Sequence, residues 1–231
     1  MLHPKAMKSI VIGANGGLGR ALADALAARG EVTRITRRST PSLDLLDDAS
    51  IAAAAEALRP GSPYEAILLA TGILHDNAVR PEKSLRDIDG AVLERLFRIN
   101  AIGPAVVMRH FLPLLARDRR ALFAVLSARV GSIGDNRLGG WVGYRASKAA
   151  LNQIVRTLSI EVARTMPQTI VVGLHPGTVD TPLSKPFQGN VSAGTLLTPA
   201  DSAAHLLRTV GQLTPADSGG CFDWAGDRIA P

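Results

Sequence analysis

Apolar positions fall into short blocks that alternate with longer stretches of helical spacing. Residues 9–13 form a compact apolar block that ends in glycine. Leu18, Ala21, Leu22, Ala25 and Leu26 then recur every three or four positions up to Gly30, the spacing of one helix face and a stop. The same reading gives strands at 32–36, 66–71, 121–126, 169–174 and 221–224. Helices are expected at 50–58, 93–115, 144–164 and 200–210, the second of these kinked at Gly103-Pro104. Strands that alternate with helices imply right-handed βαβ units. The predicted class is therefore α/β, a doubly wound, mostly parallel sheet with helices on both faces. Ligands of such sheets bind at the carboxyl ends of the strands.

No linker, repeat or low-complexity block divides the 231 residues, so a single domain over 1–231 is expected. Residues 1–7 read as a frayed tail. The longest irregular stretch, 182–199, follows a strand end, where a substrate lid is expected.

Composition narrows the class. The chain is 46% apolar and 20% charged, enough to bury a core and too apolar for disorder. A single cysteine, Cys221, excludes an intrachain disulfide and a cysteine-based zinc site. His3, His75, His110, His175 and His205 show no metal-ligand spacing, so no metal is expected. The apolar stretch after Lys5 covers only 10–12, too short for a signal core. No apolar run reaches the ~18 residues of a membrane span. A reducing, cytoplasmic setting is the expectation. The net charge of +6 comes from short clusters around Arg37 and Arg119 without interleaved aromatics, so nucleic-acid binding is not expected.

The first strand runs into Gly13-Ala14-Asn15-Gly16-Gly17-Leu18-Gly19 and then a helix. Glycines permit the tight turn and let a phosphate reach the backbone, while the helix N-terminus offers free N–H groups. No Walker lysine follows, which argues against a triphosphatase. Where an NAD site commonly offers an acid at the end of the second strand, this chain has Thr36-Arg37-Arg38. Guanidinium groups suit a 2′-phosphate, so NADP(H) is favoured over NAD(H). Asp44, before Leu45, is placed to meet the adenine edge.

Tyr144 and Lys148 stand four apart at a helix start, on one face and one turn apart. A phenol near pKa ~10 is a poor acid at neutral pH, and a nearby ammonium lowers that value. The pair suits proton donation to a carbonyl being reduced.

In order along the chain stand GANGGLG at 13–19, ATG at 70–72, Asn100, YRASK at 144–148 and PGTVDT at 176–181. This set resembles the short-chain dehydrogenase/reductase family over nearly the whole length. The stretch SARVGSIGDNRLGGWVGYRASKAALN resembles its C-factor-like and sniffer-like carbonyl reductases. The resemblance implies a Rossmann-type fold and an NADP(H)-dependent oxidoreductase. Its substrate would be a small-molecule carbonyl or secondary alcohol. It implies that Gly13, Asn15, Gly16, Gly17, Leu18 and Gly19 hold the pyrophosphate side, with Asp44 and Leu45 at the adenine. Ala70, Thr71 and Gly72 would line the cofactor. Pro176, Gly177, Val179 and Thr181 would flank the nicotinamide. Tyr144 would be the general acid or base. Lys148 would bind the nicotinamide ribose and lower the tyrosine pKa, and Asn100 would distort its helix and hold a relay water. In relatives of this type the two long helices pair across a two-fold axis, which implies a homodimer or homotetramer.

Two positions depart from the family pattern. Ala70 stands where an asparagine is usual. Ala128 stands where a serine normally orients the substrate carbonyl. Ser127 is adjacent, but alternation turns it to the other face. Ser132, twelve residues before Tyr144, is the favoured substitute. Ala128 also lends some support to a second reading, an NADP(H)-binding redox sensor with little turnover. Tyr144, Lys148 and Asn100 oppose that reading. His175, Trp141 and Phe187 are candidate substrate contacts, and Trp224 is expected to pack the last strand.

Overall fold

In the computed structural model the described residues are 7–190 and 194–231. Residues 1–6 of the expected tail and 191–193 of the expected lid lie outside them. Six strands form one parallel sheet in the order β2-β1-β3-β4-β5-β8. They are β1 (Met7–Ile12), β2 (Gly30–Ile35), β3 (Ala66–Leu69), β4 (Ala121–Leu126), β5 (Thr169–His175) and β8 (Cys221–Asp223). A separate parallel pair joins β6 (Thr178–Val179) to β7 (Leu196–Leu197). This is the doubly wound architecture that the alternation implied. Met7, assigned to the tail from the sequence, is instead the first residue of β1, because it pairs with Gly30.

Period-two alternation splits the core into two layers. Ile10, Ile12, Ile67, Leu69, Phe123, Val125 and Val171 face one way. They are covered by α2 (Asp48–Leu58), α4 (Gly103–Phe111) and α5 (Val142–Ala163). Val11, Leu68, Leu122, Ala124, Ile170 and Val172 face the other way, under α1 (Gly17–Ala27) and α6 (Pro199–Gln212). Strands buried on both faces read as continuous apolar runs, which is why ALFAVL shows no polar alternation. No helix among the described residues is long and apolar enough to cross a membrane.

The helix expected over 93–115 is broken differently from the expectation. It starts earlier, as α3 (Gly90–Phe97), with the Asp89 side chain accepting the Ala91 and Val92 N–H groups. A π-helical turn, Arg98–Ile102, then precedes α4. Pro104 has no N–H to return to Asn100, and the ladder widens so that the Gly103 N–H donates to Arg98. The disruption therefore falls before Gly103-Pro104 rather than at it. The expected lid is partly regular: a 3-10 helix spans Lys185–Asn190, and β7 leads into α6.

Because the strands are parallel, the loops after β1, β3, β4 and β5 all open at one edge. The chain runs to β2 on one side of β1 and to β3 on the other. That makes the β1/β3 crevice the switch point where a ligand fits. Phe123 is fully buried at the centre of the sheet. Phe123→Ala should lower the unfolding free energy by about 3–5 kcal/mol, read from urea denaturation.

Candidate active site

The glycine loop is folded by close approach. Gly13 has φ +87°, and its N–H donates to the Ile35 carbonyl at 2.8 Å, which ties the loop to the end of β2. A Cβ on Gly19 would lie 2.2 Å from the Gly13 carbonyl oxygen, so only glycine lets α1 start this close to the strand. Gly16 gives α1 no side-chain cap, leaving the first N–H groups of the helix to face the crevice.

One cavity of about 530 Å³ runs along this edge. Asn15, Gly16, Gly17, Leu18 and Gly19 line one end. Ala70, Thr71 and Gly72 line its middle, and Tyr144 and Lys148 lie across from Pro176, Gly177, Val179 and Thr181. Thr71 Oγ1 is buried in this wall without a hydrogen-bond partner. An orphaned hydroxyl beside an uncapped helix start is what a polar cofactor would complete, so these residues fit a bound dinucleotide.

Other expected site residues lie outside the lining. Gly13 stands behind the loop. Leu45 is buried, with its Cβ and carbonyl oxygen each 2.9 Å from where a Cβ on Gly103 would lie. Asp44 is half-buried, and its Oδ1 accepts the Leu46 N–H at 3.0 Å. Arg37 and Arg38 are exposed just past β2 and form no ion pair among the described residues.

Lys148 is only 3% exposed, and its ammonium donates to the Leu126 carbonyl at 2.8 Å. Burial pulls its pKa down to about 8. The Tyr144 ring centroid is 5.9 Å from Lys148 Nζ, and burial pushes the phenol up to about 12. The expected lowering of the tyrosine pKa by Lys148 is not seen in the protein alone, where burial is the one cause that moves the phenol.

Asn100 sits in the π turn and is 1% exposed. Its Oδ1 accepts the Ile73 N–H at 2.9 Å, and its Nδ2 donates to the Ile73 carbonyl at 2.9 Å and to Ser147 Oγ at 3.1 Å. Both amide hydrogens are thereby used, and the side chain ties the post-β3 segment to α5.

Ser132 does not fill the place of the missing serine. It is outside the cavity lining, and its hydroxyl donates to the Pro231 carbonyl at 3.2 Å while accepting the Asp135 N–H. The 3-10 turn Arg129–Gly131 intervenes and carries Ser132 past the cavity. Ala128 and Ser127 do line it, but the Ser127 hydroxyl donates to Asn152 Oδ1 at 2.6 Å.

The sequence did not single out Arg129, Leu126 or Leu183, which also line the cavity. Trp141 and Phe187 also line it, with ring centroids 5.0 Å apart. Trp224 packs against the second core layer and stacks on His205.

Asn100→Asp would keep the acceptor for Ile73 and lose both donated bonds. A loss of about 1–3 kcal/mol in stability is expected, read as a lowered denaturant midpoint.

A family model described as short chain dehydrogenase matches residues 8–191. The 1-hydroxy-2-glutathionyl-2-methyl-3-butene dehydrogenase of Rhodococcus sp. (strain AD45) is 30% identical over 91% of this chain and 93% of its own length. The C-signal protein of Myxococcus xanthus is 39% identical over 63% of this chain and 82% of its own. Among solved structures, an NADPH-bound carbonyl reductase from chicken fatty liver superposes with a TM-score of 0.85 at 24% identity, covering 99% of this chain and 96% of its own. The breadth of the family match, carried at full length by the Rhodococcus relative, makes this chain a member of the short-chain dehydrogenase family and an NAD(P)-dependent oxidoreductase.

Proposed function

We propose that the protein is an NADP(H)-dependent reductase of small-molecule carbonyls, with Tyr144 as proton donor. The observation that carries this reading is the meeting of Tyr144 and Lys148 with the glycine loop in one cavity. A nicotinamide bound beside Pro176 and Gly177 would supply the hydride. The protein's own part is positional and electrostatic. The uncapped start of α1 binds the pyrophosphate. Arg37 and Arg38, exposed beyond β2, grip a 2′-phosphate. Lys148 holds a ribose hydroxyl. The Tyr144 phenol, kept protonated by burial, gives its proton to the carbonyl oxygen as the C–H bond forms. The product is an alcohol, and the phenolate is reprotonated from solvent. The apolar wall of Leu74, Leu126, Val130 and Leu183 keeps water from the reacting carbonyl.

Purified protein should oxidise NADPH in the presence of aldehydes or ketones, and Tyr144→Phe should abolish turnover while still binding NADPH. Binding without turnover in the parent protein would favour the sensor reading instead.

The pH dependence follows from Lys148. A buried base with a lowered pKa loses its charge above about 8 rather than above 10.5. Tyr144 stays protonated throughout that range. Because kcat/KM reports the free enzyme, it should be flat below pH 8 and fall above it. A limb that appears only near 10.5 would refute the role given to the buried ammonium.

Replacing Arg37 and Arg38 by alanine should weaken NADPH binding about tenfold or more, since charge-assisted bonds contribute about 1.5–3 kcal/mol each, and leave NADH binding unchanged. Isothermal titration with both nucleotides checks this.

A further inference from the structure

Carbonyl reduction needs a hydrogen bond that holds the substrate oxygen while Tyr144 delivers its proton. Ala128 has no hydroxyl to give, and Ser132 lies outside the cavity. On the β4–β5 side of the wall, the other polar groups are already engaged. Ser127 donates to Asn152, and Lys148 donates to Leu126. Arg129 is paired with the buried carboxylate of Asp223 at 2.6 Å and with Asp135 at 3.4 Å.

His175, the last residue of β5, is the exception. It lines the cavity, its Nδ1 is buried without a hydrogen-bond partner, and among the described residues Nε2 has none either. Its direction follows from alternation along the strand. Val171 packs in the same core layer as Leu151 and Val155 of α5. A Cβ on Gly173, two residues on, would lie 3.4 Å from Asn152 Oδ1. His175 is the next residue on that face, one step closer to the end of α5 that carries Lys148 and Tyr144. Nδ1 is sealed from solvent, whereas Nε2 is not among the sealed, unpartnered atoms. A neutral imidazole carries one proton, and an N–H without a partner is costly to bury. The tautomer protonated on Nε2 spares that cost.

We propose that His175 donates the second hydrogen bond to the substrate carbonyl oxygen, in the role left open at Ala128. This rests on the reductase reading. No bond to His175 forms or breaks: the imidazole N–H polarises the carbonyl, and Tyr144 alone transfers a proton. The ring stays neutral at working pH, because burial and the Arg129 guanidinium pull its pKa to about 4 against the opposing charge of Asp223. A neutral donor polarises the carbonyl without competing with Tyr144 as the acid.

The test uses the full chain with NADPH, 4-nitrobenzaldehyde and 9,10-phenanthrenequinone. His175→Ala should lower kcat about 100-fold, and His175→Gln, which keeps an N–H donor, should recover at least about tenfold of that loss. NADPH affinity should be unchanged in both. The carbonyl stretch of the aldehyde bound beside NADP+ should lie at lower frequency in the parent protein than in His175→Ala. Unchanged kcat and carbonyl stretch in His175→Ala, with Tyr144→Phe inactive in parallel, would overturn this proposal and leave the reductase reading standing. Equal losses in both His175 variants together with lost NADPH affinity would also overturn it, by showing a structural role. Absence of turnover in the parent protein on either carbonyl would overturn both readings.

Discussion

The active edge is arranged around one buried cation. An ammonium taken almost wholly out of water needs a partner or it gives up its proton. Lys148 has the Leu126 carbonyl, an acceptor freed where β4 ends. That bond ties α5 to the end of β4. Gly131 lets α5 come this close, since a Cβ there would stand 2.9 Å from the Lys148 Cβ and carbonyl carbon. Gly72 closes the other side, with Lys148 Nζ 3.2 Å from where its Cβ would be. Two glycines thus border Lys148, one against its backbone and one against its ammonium, and Gly72 also lines the cavity.

A second constraint fixes the same helix from the other side. The π turn at Arg98–Ile102 puts Asn100 where its amide pairs with both backbone groups of Ile73 and with Ser147. Ser147 in turn donates to the Tyr144 carbonyl at 2.9 Å. Ala70, in the position where the family pattern has an asparagine, cannot tie the strand ends. Here Asn100 makes a comparable tie one segment later. An irregular turn inside a helix is costly in isolation, and it persists where side-chain bonds over-determine it.

What could be read from the residues follows this physics. The strand and helix periods were legible because the sheet is covered on both faces, so ALFAVL and TIVVGLH stand out as unbroken apolar runs. The glycine loop was legible because Gly13 and Gly19 meet a local geometric demand. The residue spacing alone did not show the π turn, which depends on Pro104 withholding a donor and on Asn100 finding Ile73, 27 positions away; only the family resemblance placed a distortion at Asn100. Ser132 was misplaced for a related reason. Its distance from Tyr144 in sequence suited the role, but a 3-10 turn changes direction within three residues. Linear spacing carries no sign of that. His175 is a candidate substrate contact from the sequence, but its charged neighbours Arg129 and Asp223 come from other parts of the chain and left no mark in its local spacing.

The start of α5 shows the same dependence on contacts made far along the chain. Trp141 has φ +53°, a left-handed conformation that is costly for a bulky residue. Its N–H donates to the Glu82 carbonyl at 2.7 Å. The Glu82 carboxylate, 1% exposed, accepts the Gly143 N–H at 3.2 Å and 3.3 Å. The carboxyl group thereby caps the N-terminal end of a 22-residue helix, where backbone N–H groups need acceptors. The clamp turns the Trp141 ring edge-on to Tyr144 and to Phe187. Phe187 in turn packs on His75, whose Nε2 is 3.0 Å from the Leu183 carbonyl. The proton donor and the aromatic mouth of the cavity therefore share one anchor. The Trp141 ring is thus the contact that joins Phe187 to Tyr144.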